Sequence, residues 1–383
     1  MPRGGSQSLR SLFVIPSLER GGSEGQLVEL LSRVHPEPVA ATLATLVPAR
    51  DRLHTETLRA SGVPHVILAP RGGATAGRRL AAAFQLGRLL RKLQPDVVYA
   101  WGEYASVLAV PIARALRTPV VVARRNSGNV NLAPWLGRAA RLTDARAQLV
   151  TGNSRAVLDE SARYGVPPGR LRLVRNGHHA GRPAPPPRGD VVRLGYVAGL
   201  RPGKGHHQLL RALSEVRADT PWRVELAGEG PIVEELSSEV HQNGLAGRVR
   251  FLGLVDDIAG FWREHHACVL LSAGEGSSNA LIEAGLAGRP LLATDVPGNR
   301  ELVTPGAGVL VRPGDPSGAA RRLEQIIDDA GLRERLGRGA SQAMRRFKIE
   351  RMVAGHLSVL MECVQPGRAV TPELDRAPAV APA

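Results

Sequence analysis

Ala267-Cys-Val-Leu-Leu-Ser-Ala-Gly-Glu-Gly-Ser-Ser-Asn-Ala-Leu-Ile-Glu-Ala-Gly-Leu-Ala-Gly-Arg-Pro-Leu-Leu-Ala293 is the stretch that decides the fold. It opens on an apolar run, Ala267–Leu271, short enough for a buried strand. A glycine- and serine-rich loop follows. Residues Ser278–Ala287 are then apolar almost all round, which predicts a buried helix. Arg-Pro leads into a second apolar run, Pro290–Ala293. Strand, helix and strand in this order make a βαβ unit, and such units pair their strands in parallel with a right-handed crossover.

The same alternation extends in both directions. Upstream, strands are expected at Val191–Val197, Arg223–Ala227 and Val249–Leu252, with helices at His206–Val216, Pro231–Asn243 and Ile258–Glu264. Downstream lie a strand at Gly308–Val311, a helix at Ser317–Asp329 and helical sequence from Leu332 onward. The first half repeats the pattern from Leu12–Pro16 to Leu171–Val174. Between the halves, Arg182-Pro-Ala-Pro-Pro-Pro-Arg-Gly-Asp190 suits neither a helix nor a central strand and reads as a linker. The fold class expected is α/β: two doubly wound, Rossmann-like domains, 1–187 and 188–348, facing across a cleft. The Pro- and Ala-rich residues 366–383 read as a disordered tail.

The 383 residues fit two such domains. Two cysteines, Cys268 and Cys363, exclude a disulfide framework and a cysteine-based zinc site, and suit a reducing compartment. Met1–Arg10 lacks an apolar signal core, and no apolar run approaches a membrane span. The expected location is therefore cytoplasmic, with peripheral association at the inner face of the cell membrane. Thirteen aromatics are too few for a dense base-stacking surface, so no nucleic-acid partner is expected. The net charge of +15 is uneven: residues 1–190 hold 27 basic and 12 acidic side chains, residues 191–383 hold 23 of each. An anionic partner is thus expected on the first half alone. An anionic membrane surface met by Arg78, Arg79, Arg88, Arg91 and Lys92, or a phosphorylated substrate, fits that charge.

Three loops carry candidate chemistry. In Leu18-Glu-Arg-Gly-Gly-Ser-Glu24, Gly22 would let the backbone approach an anion at a helix N-terminus; a plain turn fits as well. In Val197-Ala-Gly-Leu-Arg-Pro-Gly-Lys-Gly-His-His207, Arg201 and Lys204 flank free backbone amides, a setting for a diphosphate. Only three lysines occur in the chain, so Lys204 stands out. The third loop carries Glu275 and, eight residues on, Glu283 inside the apolar helix. A carboxylate there needs hydrogen-bond partners, such as a ribose diol. The His178-His179, His206-His207 and His265-His266 pairs point neighbouring rings apart, and no metal site is expected. Cys268 reads as core rather than nucleophile.

Taken together, these segments resemble the retaining, two-domain nucleotide-sugar glycosyltransferases of family GT4, with the GT-B fold. The resemblance spans roughly residues 9–363. It is strongest over Arg248–Pro313, with supporting pieces at Gly21-Gly22-Ser23-Glu24, Asn153-Ser154, Asn176-Gly177 and Ala227-Gly-Glu-Gly-Pro231. It implies that Glu283 binds the ribose hydroxyls and that Glu275 contacts the donor sugar. Arg201 and Lys204 would neutralise the departing diphosphate. Amides from Gly276 through Ser277, Ser278 and Asn279 to Ala280 would hold sugar and phosphates. Gly22 would approach the diphosphate, and the loop after Phe251-Leu-Gly253 would meet the base. A C-terminal helix, 349–365, would return to the first domain, with domain closure about a hinge.

Two departures stand out. Leu200 occupies the position where many members carry Arg, leaving Arg201 for that task. The loop Ala123-Arg-Arg-Asn-Ser-Gly128 stands where many carry a His, so Arg125 and Asn126 become acceptor-side candidates without an assigned general base. The implied reaction moves a sugar from a nucleotide diphosphate to a glycan or lipid-linked acceptor, in surface polysaccharide or glycolipid assembly. It proceeds by front-face attack, with no cofactor and no metal. A sugar-nucleotide 2-epimerase and a non-catalytic basic scaffold are the alternatives.

Overall fold

A computed structural model describes residues 8–49, 51–69, 76–126, 133–179 and 183–365. The chain divides into two compact units. The first comprises residues 1–125, 132–177 and 350–383, the second 126–131 and 178–349.

The first unit is built on β1 (Leu9–Ile15), β2 (Val39–Thr45), β3 (His65–Ile67), β4 (Val97–Trp101), β5 (Val120–Arg124), β6 (Leu149–Gly152) and β7 (Leu171–Leu173). All are parallel, in the order β3-β2-β1-β4-β5-β6-β7. The strands read as continuous Val, Leu and Ala runs because helices cover both faces, and Val97–Trp101 and Val120–Arg124 are buried at every residue. The helix Ile349–Val364 belongs to this unit. Its His356 is fully buried, with Nδ1 2.8 Å from the Tyr99 hydroxyl, and Arg172 pairs with its Glu362.

The second unit carries β8 (Val192–Val197), β9 (Trp222–Ala227), β10 (Val249–Gly253), β11 (Ala267–Leu270), β12 (Leu291–Thr294) and β13 (Gly308–Val311). The order β10-β9-β8-β11-β12-β13 is again wholly parallel and reverses between β8 and β11. The crossover helix foreseen at Ser278–Ala287 spans Asn279–Leu286 and buries Leu281 and Ile282 completely. Each such side chain contributes about 1.5–3 kcal/mol. Cys268 lies in the core, and burial pushes its thiol up.

Two features add to the reading of the sequence. The compact units divide between Gly177 and His178. The proline-rich segment from Pro183 onward is exposed for the most part but hydrogen-bonded to the second unit. Arg289 donates to the carbonyls of Ala184 (3.2 Å), Pro185 (3.0 Å) and Trp262 (2.8 Å). Prolines have no N–H, but their carbonyls still need donors, and a buried guanidinium supplies them. Second, a helix at Pro134–Asp144 went unforeseen. The tail 366–383 lies outside the described residues, as do the side chains of Arg78 and Arg79.

Candidate active site

Ligands of doubly wound sheets sit at the carboxyl ends of the strands, where the strand order reverses. In the second unit that point lies between the loops after β8 and β11, which are the loops carrying Arg201, Lys204 and Glu275.

Tyr196, near the end of β8, ties these two loops together. Its hydroxyl donates to the Lys204 carbonyl and accepts from the Leu271 amide at 3.0 Å. Ala273 N donates to the Gly203 carbonyl at 2.9 Å. Gly205 has φ +77°, and a Cβ there would lie 1.9 Å from the Leu271 carbonyl oxygen, so only glycine allows this approach. The result is a Lys204 Nζ–Glu275 Oε1 contact of 2.7 Å, with Glu275 buried. Arg201 is exposed on the same loop.

The wall behind Glu275 comes from the turn after β12. A Cβ on Gly298 would stand 2.1 Å from the Glu275 carbonyl oxygen. Asn299 Nδ2 donates to the Thr294 carbonyl at 3.0 Å, and Thr294 Oγ1 donates to the Ser272 carbonyl. Leu200 N donates to the Glu229 carbonyl at 2.8 Å, and Gly228 N to the Gly253 carbonyl at 2.7 Å. The loops after β8, β9 and β10 are thereby stitched to one another. Gly276, Ser277 and Ser278 lead into the helix Asn279–Leu286, whose first turn holds Asn279 and Ala280. Ser278 caps it, its Oγ accepting from Leu281 N at 3.3 Å. Backbone amides at a helix N-terminus favour an anion.

Glu283 lies one turn further along this helix. Burial pushes its carboxyl up to about 8, against the opposing effect of the Trp262 side chain. His178 Nδ1 lies 3.5 Å from Glu283 Oε1. His178 Nε2 lies 3.1 Å from Asn279 Oδ1. Burial lowers the His178 imidazole to about 4, outweighing the Asn279 bond. Burial thus favours the uncharged form of both side chains.

In the first unit, Gly22 opens the helix Gly22–Val34, and Ser23 Oγ accepts from Trp101 Nε1 at 2.9 Å. Arg125 is buried. Its guanidinium lies 3.9 Å from the Trp101 ring centroid and donates to Asn176 Oδ1 at 3.3 Å. Burial lowers it to about 10, with Tyr99 opposing. Asn126 is exposed. Next to these, Arg124 forms a buried ion pair with Asp144. Among the described residues, no group of three or more His, Cys, Asp or Glu side chains is arranged to hold a metal ion.

The second unit thus joins Lys204 to Glu275 and sets Asn279 against Glu283 through His178. Tyr196, Gly298 and His178 were missed in the sequence. Tyr196 reads as core, Gly298 as part of an ordinary turn, and His178 as half of an uninformative pair.

The glycosyltransferase family 4 model matches residues 20–182, and the glycosyl transferases group 1 model matches residues 192–329. The chain belongs to the family 4, group 1 glycosyltransferases. This transferase is 29% identical over 292 residues to the lipopolysaccharide core biosynthesis glycosyltransferase LpsD of Rhizobium meliloti, covering 73% of this chain and 79% of LpsD. It is 28% identical to a glycogen synthase of Mycobacterium tuberculosis, covering 69% of each. Among solved structures, Anabaena HepE in complex with UDP and glucose superposes with a TM-score of 0.81 at 21% identity, over 92% of this chain and 100% of that one. Its fold is GT-B.

Proposed function

We propose that the transferase moves a sugar, with retention at its anomeric carbon, from a nucleoside diphosphate sugar to a glycan or lipid-linked acceptor. The setting is surface polysaccharide or glycolipid assembly. The Lys204–Glu275 pair carries this reading: it stands at the strand-order reversal, beside the amides of the helix Asn279–Leu286. The bond from sugar C1 to the β-phosphate oxygen breaks. The negative charge released on the diphosphate meets the Lys204 ammonium, the Arg201 guanidinium and those amides. The acceptor hydroxyl attacks C1 from the face the phosphate leaves, and its proton passes to the departing phosphate oxygen. Glu275 orients the sugar and Glu283 takes the ribose hydroxyls, while Gly22 approaches the diphosphate. Arg125 and Asn126 serve the acceptor side. These roles are electrostatic and positional, and the reading calls for no resident cofactor or metal. HepE, seen with UDP and glucose, and LpsD, named for lipopolysaccharide core synthesis, support the substrate class. A thermal-shift series with UDP, GDP and ADP tests it. One base should stabilise the protein by about 2.7 kcal/mol at a hundred times Kd; no shift with any of the three would sink the donor site.

The acceptor-bearing surface is proposed to meet anionic lipid. Along the helix Ala76–Leu93, the exposed residues Leu80, Phe84, Arg88 and Lys92 recur every four positions, with Arg91 beside them. Leu80 is 72% and Phe84 65% exposed, and one face therefore presents apolar side chains beside cations. Each basic residue near an anionic bilayer contributes about 1 kcal/mol. Co-sedimentation with phosphatidylglycerol vesicles should fall when Arg88, Arg91 and Lys92 are replaced by Gln, and with rising salt. Equal binding to neutral vesicles would count against the surface. Among the described residues, no helix is long and apolar enough to cross a membrane.

A further inference from the structure

His178 opens the main segment of the second unit, 178–349. Its backbone is held on both sides: His178 N donates to the Phe347 carbonyl at 2.9 Å, and Ile349 N donates to the His178 carbonyl at 3.1 Å. These two bonds form a parallel bridge between His178 and Lys348. The ring extends from this fixed point over one face of the helix Asn279–Leu286. Positions 279 and 283 are one turn apart, so one imidazole reaches both with its two nitrogens. The ring is 11% exposed and the Glu283 side chain 29%, so Glu283 keeps a surface for a ligand that His178 does not cover.

We propose that His178 is a positioning residue that fixes the Glu283 carboxyl and the Asn279 amide in the orientation that reads the ribose hydroxyls of the donor. The proposal rests on Glu283 being the ribose contact. A carboxyl on a helix has three side-chain torsions and needs a neighbour to hold it, because a hydroxyl pair rewards only a fixed geometry. Asn279 Oδ1 accepts, so Nε2 bears the imidazole proton and Nδ1 turns its lone pair to Glu283. That lone pair suits a protonated carboxyl, consistent with the upward shift at Glu283. Nε2–H donates to Asn279 Oδ1 while Nδ1 faces the Glu283 carboxyl, so a single ring orients both side chains.

The test compares ribose with 2′-deoxyribose ligands by calorimetry, using UDP against dUDP, GDP against dGDP and ADP against dADP. In the wild type the matching ribonucleotide should bind about tenfold more tightly than its deoxy form, the scale of one hydrogen bond to a charged group. In His178→Leu that preference should shrink to within about twofold, while the deoxy ligand binds nearly as in the wild type. His178→Gln, whose amide offers both a donor and an acceptor, should regain part of the preference and covers the case in which the Leu variant folds poorly. A His178→Leu protein that still prefers the ribonucleotide tenfold overturns the proposal alone. A wild type that binds a nucleotide without preferring ribose overturns the Glu283 assignment, and the proposal with it.

Discussion

Lys204→Ala should lower kcat by about a hundred- to a thousandfold, the usual loss when one fixed stabiliser of developing charge is removed. The expected size follows from the surroundings of the ammonium. Nζ is held 2.7 Å from Glu275, and the backbone beneath it is clamped by the Tyr196 hydroxyl and by Gly205. A cation fixed in this way needs little reorganisation when the diphosphate leaves. Its removal also deprives Glu275 of an ion pair in a nearly buried setting, so a negative charge faces the leaving group without its counterweight. Lys204→Arg should recover little, because a planar fork does not replace a compact ammonium in this loop. Glu275→Gln keeps the volume and tests the carboxylate separately; it should lower kcat by a similar factor. Single-turnover rates at saturating donor, with circular dichroism as a check on folding, measure both. A Lys204→Ala enzyme within threefold of the wild-type rate would remove Lys204 from the leaving-group site.

Gly205→Ala should be among the most damaging single methyl additions in the second unit. At φ +77°, any L side chain is strained by about 1–3 kcal/mol. The added Cβ would also stand 1.9 Å from the Leu271 carbonyl oxygen and 2.9 Å from the Ser272 amide nitrogen, both backbone atoms that cannot rotate away. Overpacking of this kind adds a further loss of about 1–3 kcal/mol. A combined loss of about 3 kcal/mol should lower Tm by about 6–12 °C for a unit of this size. Gly244→Ala is the matched control. It shares a positive φ of +66°, yet a Cβ there meets nothing within 4 Å. It should lose only the backbone share, about 1 kcal/mol. Equal melting temperatures for the two variants would show that the Leu271 contact is not what demands glycine at 205. Because the clash displaces Lys204, Gly205→Ala should also fall in kcat even at temperatures where it stays folded.

The strand framework was legible because buried parallel strands leave short apolar runs between glycine-rich turns, as in Leu291–Thr294 and Val192–Val197. The helix Pro134–Asp144 was not legible. Its buried face is Leu136, Gly137, Ala140, Thr143 and Asp144, so a single large apolar side chain stands among small and polar ones and no continuous apolar stripe marks it. Asp144 is buried only because Arg124 neutralises it, and that pairing is set by tertiary structure. At the site, Lys204 and Glu275 stood out by residue type and by position after a strand. Their contact did not, since it depends on Tyr196 joining two loops that are 71 residues apart in the chain. His178 escaped for the same reason: its meaning lies in a helix one hundred residues further on.

The packing of Pro183–Pro185 against Arg289 bears on how such chains can be recombined. A chimera that joins another relative's first unit at the proline-rich segment would carry over the wrong His178 and the wrong carbonyls for Arg289. The natural seams run at Gly177–His178 and at Ile349–Glu350, so a transplanted first unit must bring its own C-terminal helix with it. Modularity in this protein is discontinuous: the first module is assembled from both sides of the block 178–349, and the second takes in a short piece, 126–131, from within the first.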